Sequence, residues 1–366
     1  MANPLPKIAH VDSETGFSGG EVQVFLLMEG LRARGYEQVL VAPPASDAAK
    51  IGAQRGFAVR EVAMRFDADL PAVWRMRSIF AGVDLVHSHT GRAGWLGGMA
   101  AWLAQRPSVV TRRMDRRVRR GLRTRLVYHA FAQQVAAISP AVAQCLLAGG
   151  VAADRITIVP DALDATRITP QRGGPSVRAE LGIADGQFVV LAMAKLMHRK
   201  GLDLLIPAFA RLQARGAVLV LAGSGPEEAA LRALAAQIGV ADRVSFLGHR
   251  EDPGDLLAAC DVFVLPSRAE GLGVAALEAL AAQRPVLVTK VGGLAEVVID
   301  GQCGVVVPPE DVPALAAALQ RLHDDPALRQ RLAAAGPARV DQGFRDVHMC
   351  NSYERIYREL MAARRR

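Results

Sequence analysis

The amino-acid sequence predicts an α/β protein built from two doubly wound, parallel-sheet domains in tandem. Three observations carry that expectation. The chain has 366 residues, more than one hydrophobic core usually organises. Short apolar runs alternate with helical patterns along almost its whole length, and such alternation gives right-handed βαβ units on a parallel sheet. The alternation breaks at Asp164 to Pro175, where Thr169-Pro170-Gln171-Arg172-Gly173-Gly174-Pro175 has no periodicity and reads as a linker.

The first series of strands is expected at Ile8 to Val11, Gln38 to Ala42, Ala58 to Val62, Asp84 to His87, Ser108 to Thr111, Gln134 to Ile138 and Arg155 to Val159, with a first helix over Gly20 to Arg34. The second is expected at Phe188 to Ala192, Val218 to Ala222, Val244 to Leu247, Val262 to Leu265, Val286 to Thr289 and Gly304 to Val307. From Asp346 a last amphipathic helix carries Tyr353, Ile356, Tyr357 and Leu360 at helical spacing, ahead of an Arg364-Arg365-Arg366 tail. That helix would pack back across the first domain. The expected domains are therefore residues 1–167, completed by 346–366, and residues 168–345.

At 51% hydrophobic and 22% charged residues the chain has material for both cores. Its formal charge of +8 points to an anionic partner such as phosphates, nucleic acid or an acidic membrane surface, against a general richness in arginine as the plainer source. Cys145, Cys260, Cys303 and Cys350 are widely scattered, which argues against a disulfide framework or a zinc site and fits a reducing cytosol. The first residues, Met1-Ala2-Asn3-Pro4-Leu5-Pro6, show no basic region followed by a long apolar stretch, so no signal peptide is expected. The longest apolar stretch, Gly94 to Ala104, is about half a bilayer span. The expected location is cytoplasmic, soluble or peripheral.

The densest chemical signal is Pro266-Ser267-Arg268-Ala269-Glu270-Gly271-Leu272-Gly273-Val274 running on to Glu278. Glu270 falls in the turn between an apolar strand and a helix over Val274 to Ala281, at the carboxyl end of the strand. There ligands of open α/β sheets bind and helix amides face outward. At about 100° per residue, Glu278 lies two turns deeper and would meet another part of the same ligand. The competing reading makes Glu270 a helix-start residue and Glu278 a solvated one.

Other strand-end loops add to this. Gly16-Phe17-Ser18-Gly19-Gly20-Glu21 opens the first helix, where glycines let backbone approach a ligand, although a plain turn would look the same. It is not the dinucleotide fingerprint. Lys195 and Lys200 share one loop after a strand and can neutralise a diphosphate without a metal, or be merely solvated. Leu221-Ala222-Gly223-Ser224-Gly225-Pro226 has the shape of a ligand-approach loop or of a simple turn. His87 and His89 end a strand with both imidazoles on one face. No third ligand stands out, so a single His reaching a polar substrate is favoured over a metal site. Asp67 and Asp69 precede a helix and read as capping rather than metal-binding. Finally, Arg112 to Arg125 holds eight arginines in fourteen residues. It has no aromatic for base stacking, which disfavours nucleic acid and suits an anionic membrane or a phosphate-bearing acceptor, unless it is simply a basic loop.

In their order along the chain, the Gly19-Gly20 loop, His87-Ser88-His89, Ala137-Ile138-Ser139-Pro140-Ala141-Val142, the lysine loop, Gly223-Ser224-Gly225-Pro226 and the Glu270/Glu278 pair resemble the retaining glycosyltransferases of family 4. The resemblance covers nearly the whole chain. It implies the GT-B fold, two Rossmann-like domains facing a cleft that closes over a nucleoside diphosphate sugar, with no metal or other cofactor. Glu270 would contact hydroxyls of the transferred sugar, and the amides of Gly271, Leu272 and Gly273 would hold sugar and phosphate. Glu278 would bind the ribose, the backbone around Leu247 the nucleobase, and Lys200 the departing diphosphate. Lys195 stands where the family more often has Arg. Gly19, Gly20 and Gly223 would complete the donor contacts, and His89 joins Glu270 and Lys200 as a catalytic group.

Two departures fall in the acceptor-facing domain. Thr111-Arg112-Arg113 replaces a common His, and Asp161 of Pro160-Asp161-Ala162 replaces a common Asn. Arg112, Arg113, Arg116, Arg117, Arg119 and Arg120 are the expected contacts to an acceptor or membrane surface. The implied activity is metal-independent retaining transfer of a sugar to an acceptor hydroxyl, on a lipid-linked or lipopolysaccharide-type glycan, without nucleic acid. A nucleotide-sugar epimerase would need no acceptor, a sugar phosphorylase would need phosphate and a cofactor lysine, and a basic nucleic-acid scaffold would need aromatic platforms.

Overall fold

The computed structural model describes residues 5–214 and 216–364. Met1 to Pro4 of the leading stretch and Arg365 and Arg366 of the basic tail lie outside the described residues. Strands form at all the expected places, each end within one residue of its expected position.

The first unit runs to Ala162 and takes in the chain from Asp346. Its strands are β1 (Ile8–Val11), β2 (Gln38–Ala42), β3 (Ala58–Glu61), β4 (Leu85–Ser88), β5 (Ser108–Arg112), β6 (Gln134–Ala137) and β7 (Ile156–Ile158). They form one sheet in the order 3-2-1-4-5-6-7, every pair parallel. β1 and β4 are buried along their whole length, as the continuous apolar runs of a sheet covered on both faces require. The strand order reverses between them, the place where an open α/β sheet opens a crevice at its carboxyl edge.

The helix Gly19–Ala33 that follows β1 starts where Ser18 and Glu21 allow a capping box. The Ser18 hydroxyl accepts from the chain, and Glu21 accepts from the Ser18 amide at 2.6 Å. Along it, Leu27 and Leu31 pack with Tyr353, Ile356 and Tyr357 of the last helix, Asp346–Arg364. Each such fully buried side chain contributes about 1.5–3 kcal/mol, and Glu354 adds bonds from Arg34 (2.8 Å) and the Tyr36 hydroxyl (3.0 Å).

The second unit spans Leu163–Arg345. It holds β8 (Val189–Met193), β9 (Val218–Ala222), β10 (Val244–Gly248), β11 (Val262–Leu265), β12 (Val286–Thr289) and β13 (Gly304–Val307), parallel in the order 10-9-8-11-12-13. Its order reverses between β8 and β11.

The boundary lies earlier than the expected 167/168, because Arg167 is held by the second unit. Its carbonyl accepts from the Gly254 amide at 3.1 Å and its guanidinium donates to Glu278 at 3.2 Å. The segment expected as a linker is also fixed there. The amides of Gln171, Arg172 and Gly173 all donate to one oxygen of the buried Asp255 at 2.8–3.0 Å, and a helix begins at Gly174. Absence of periodicity identified irregular backbone correctly, but a buried carboxylate able to satisfy three amides makes that backbone part of the domain.

Candidate active site

In the second unit, Glu270 sits in the turn between β11 and the helix Val274–Ala281, as expected. Its carboxylate forms an ion pair with Lys200 and accepts from the Ser267 hydroxyl at 3.3 Å, while Arg199 lies 3.9 Å away. Lys200 comes from the loop after β8, 70 residues earlier. Two devices bring the loops together. Gly201 has φ +67°, and a Cβ there would stand 2.0 Å from the Pro266 carbonyl oxygen, so only glycine lets the backbones touch. Arg268 then clamps the β8 side, donating to the His198 carbonyl at 2.8 Å and to both oxygens of Asp203 at 2.6 and 2.7 Å. Such a bidentate pair fixes direction as well as distance.

The Gly223 turn closes on the same loop. With φ +141°, a Cβ at Gly223 would be 1.9 Å from the Ala194 carbonyl oxygen, and the Gly223 amide donates to the Gly248 carbonyl at 2.7 Å. Leu247 is the extra residue of the bulge between Phe246 and Gly248 at the end of β10, and is half-buried. A bulge frees one residue of the strand from ladder pairing. Gly271, Leu272 and Gly273 are buried, and the Gly293 amide pins their turn by donating to the Glu270 carbonyl at 3.0 Å.

The two lysines have different surroundings. Lys200 is half-buried on Glu270, whereas Lys195 is exposed and makes no ion pair among the described residues. Glu278 is not a solvated helix residue. It is buried against Arg167, and burial pushes its carboxyl up while the Arg167 guanidinium pulls part of that back.

In the first unit, the strand ends at the β1/β4 reversal gather a buried polar cluster. His87 and His89 do lie on one face, their ring centroids 4.0 Å apart. No third ligand stands out in the sequence, but the structure supplies one: His10 of β1 donates or accepts with His89 at 3.0 Å, and the three rings place ligating nitrogens within 4.8 Å of one another. Sequence spacing hid His10, yet β1 pairs with β4 so that His10 stands directly beside His87. Both nitrogens of His87 are already engaged, one by the Tyr357 hydroxyl and one by the Thr111 hydroxyl, each at 2.7 Å. Thr111 in turn bonds the Tyr353 hydroxyl at 2.7 Å. A cation there would have to displace one of those bonds.

Burial lowers all three imidazoles, His10 to about 3, so the cluster is neutral at pH 7. Nearby Asp12 is pushed up to about 7 by burial, against a bond from the Glu14 amide. His89 Nδ1, His10 Nε2 and one Asp12 oxygen are buried without a protein partner. Gly19 and Gly20 open the helix after β1, where Gly20 donates to the Ser18 hydroxyl at 3.3 Å and lies near the Arg113 side chain.

Arg113 departs from its expected surface role. It turns inward, its side chain 13% exposed, with Nε 3.1 Å from Asp161 and one terminal nitrogen 3.3 Å from the His89 carbonyl. The two departures from the family pattern therefore meet as an ion pair, and a buried carboxylate at 161 needs that cation. Arg112 braces its own loop by donating to the Arg116 carbonyl at 2.7 Å. Arg116, Arg117, Arg119 and Arg120 are exposed, Arg120 also donating to the Ala148 carbonyl at 3.3 Å. Asp69 caps the helix Leu70–Phe80 through the Ala72 amide at 3.2 Å, as expected. Asp67 instead anchors Arg123 at 2.6 Å. Beyond the expected residues, the site gains Ser267, Arg199 and Arg167 in the second unit and His10, Asp12, Thr111, Tyr353 and Tyr357 in the first.

Both units match known families. Residues 175–339 match the glycosyl transferases group 1 model and residues 17–167 match the glycosyltransferase family 4 model, and the chain belongs to this group, with the GT-B fold. It is 34% identical over 190 residues to the lipopolysaccharide core biosynthesis glycosyltransferase LpsD of Rhizobium meliloti, covering 52% of this chain and 55% of that one. It is 32% identical over 282 residues to the D-inositol 3-phosphate glycosyltransferase of Nocardia farcinica, covering 69% and 61%. The matches span about half the length of the curated relatives. The crystal structure of Anabaena Alr3699/HepE in complex with UDP and glucose superposes with a TM-score of 0.87 at 23% identity, over 97% of this chain and 100% of that one.

Proposed function

We propose that the protein is a metal-independent retaining glycosyltransferase that needs no cofactor and moves a sugar from a nucleoside diphosphate donor to an acceptor hydroxyl. The observation that carries this reading is the Lys200–Glu270 ion pair, assembled at the sheet reversal of the second unit by loops 70 residues apart. In the absence of donor the pair keeps an ammonium and a carboxylate preorganised. A diphosphate competes for Lys200, and Glu270 turns to accept from the sugar hydroxyls. The bond between the anomeric carbon and the phosphate oxygen breaks with its electron pair going to the phosphate. The acceptor oxygen bonds to the same face of the anomeric carbon, and its proton passes to the departing phosphate. Lys200 stabilises the charge that grows on that oxygen, an effect present only as the bond breaks. Glu278, positioned by Arg167, accepts from the ribose hydroxyls, and neutral His89 offers a hydrogen bond to the sugar.

The bound UDP and glucose of the HepE structure support the donor class, and the lipopolysaccharide core role of LpsD supports an envelope glycan acceptor, lipid-linked or of lipopolysaccharide type. An acceptor of that class is consistent with a cytoplasmic protein working at the inner face of the cytoplasmic membrane. Glu270→Ala and Lys200→Ala are each expected to lower transfer by about 10²–10³ or more with the fold retained by circular dichroism. Near-normal turnover in both variants would sink the reading. A screen of UDP-, GDP- and ADP-sugars with and without acceptor assigns the base and separates transfer from epimerisation.

A further inference from the structure

We infer that Gln38 and His10 are positioning residues that fix His89 as a hydrogen-bond acceptor, so that it receives a donating hydroxyl of the substrate. The ring state stands on the geometry of the first unit, while its use on a sugar hydroxyl rests on the transfer reading. His89 follows β4 directly, at the carboxyl edge of the strand reversal. Its Nε2 lies 3.0 Å from His10 Nδ1, and its Nδ1 is buried with no protein partner. A neutral imidazole carries one proton, so its two nitrogens take opposite roles. Whichever role Nε2 takes toward His10, Nδ1 takes the other toward a ligand.

Gln38 decides between them. It stands on β2 opposite Ile8 of β1, and so shares a sheet face with His10 two residues on. Its amide nitrogen donates to the Met28 carbonyl at 2.9 Å. A carbonyl oxygen only accepts, so the side-chain amide cannot turn round, and its own oxygen is the end left for His10. Gln38 Oε1 and His10 Nε2 are both buried, and neither has another hydrogen-bond partner among the described residues. Burial lowers the His10 value and Gln38 partly opposes it, as an oxygen does when it favours a proton on the nitrogen it faces.

The order of the protons follows. Gln38 Oε1 accepts, so His10 Nε2 carries the hydrogen. His10 Nδ1 is then bare and accepts from His89 Nε2, which leaves His89 Nδ1 a lone pair. The reverse order would set the His10 Nε2 lone pair against Gln38 Oε1, two acceptors face to face in a buried site. His87 imposes neither order. Its ring packs on His89, but both its nitrogens meet hydroxyls, of Tyr357 and Thr111, and a hydroxyl donates or accepts equally well. The hydrogen bond between His89 and the sugar is therefore one that the sugar donates. An ether, ester or carbonyl oxygen in that place would meet a lone pair.

The test is nuclear magnetic resonance of the whole protein with isotope-labelled histidine, at neutral pH and without donor or acceptor. The chemical shift of a ring nitrogen distinguishes a bonded hydrogen from a lone pair, and spectra of His10→Asn and His89→Asn assign the signals. In the parent protein both His10 and His89 are expected to hold the hydrogen on Nε2 and to leave Nδ1 bare. In Gln38→Met, which keeps the length but has no oxygen, both rings are expected to move together to a mixture of the two tautomers. With about half the molecules then in the wrong state, transfer at limiting donor falls about twofold. A hydrogen on His89 Nδ1 in the parent protein would overturn the proposal even if Gln38→Met failed to fold. Ring states unmoved by Gln38→Met would overturn it too, and mixed tautomers with undiminished transfer would break its link to the sugar. A protein with the expected ring states that transfers no sugar removes the transfer reading and leaves the relay standing.

Discussion

The carboxyl ends of the two sheets solve the same geometric problem with opposite electrostatics. Each sheet reverses strand order and gathers polar side chains at the reversal. In the second unit the residues gathered are ions: Lys200 on Glu270, Arg268 on Asp203, Arg167 on Glu278. In the first unit burial has driven three imidazoles neutral, packed on one another and joined to two tyrosines of the last helix, to Tyr357 directly and to Tyr353 through Thr111. Fixed charge suits a diphosphate, whereas a neutral hydrogen-bonding surface suits sugar hydroxyls. The ion pair beside the first reversal, Arg113 with Asp161, is turned inward, and Arg113 braces the His89 backbone. In the first unit, then, the charges hold structure; in the second, Arg268 holds structure too, and the proposed reading places Lys200, Glu270 and Glu278 against the donor.

The sharpest way to break that contrast is Asp161→Ala. It strands the Arg113 guanidinium, one nitrogen of which is already buried without a partner. Removing one member of a buried pair costs about 3–5 kcal/mol, read as a lower denaturant midpoint. A loss under about 1 kcal/mol would show that the pair is solvated and that the first reversal is not stabilised by it.

The neutrality of the histidines gives the next largest effect. His10 has an ordinary value of 6.5 and a folded value of about 3. Below pH 6.5 the unfolded chain takes up a proton that the folded chain refuses, so this residue's share of stability is present above pH 6.5 and is lost as the pH falls towards 3. The slope is about 1.4 kcal/mol per pH unit. His10→Asn, measured beside the parent protein at each pH, is expected to remove that much acid sensitivity. Parallel stability profiles for the two would mean that His10 is protonated in the fold.

Much of the architecture was legible because the information is local. Runs such as Val262-Phe263-Val264-Leu265 and Val286-Leu287-Val288-Thr289 are buried strands by composition alone, and Glu270 fell into its turn because strand and helix on either side were recognisable. What stayed hidden depends on partners far apart in sequence. Nothing local says that Arg113 turns inward to meet Asp161, 48 residues on, or that Asp255 gathers the amides of 171–173. His10 was within reach. Placing β1 beside β4, as a doubly wound sheet requires, and aligning their ends sets His10 against His87.

The smallest expected effect sharpens the contrast most. Glu270 and Lys200 are nearly as buried as Arg113 and Asp161, so burial alone would assign both pairs the same structural weight. Their surroundings differ. Lys200 has a flexible four-carbon stem and stands on a loop at the sheet edge, so without Glu270 it can carry its ammonium into water. Arg113 is held at both ends of its guanidinium by Asp161 and the His89 carbonyl. The stability of Glu270→Ala is therefore expected to stay within about 1 kcal/mol of the parent protein while transfer collapses. If Glu270→Ala instead unfolds as readily as Asp161→Ala, the Lys200–Glu270 pair is a structural brace like the other, and its loss of activity says nothing about chemistry.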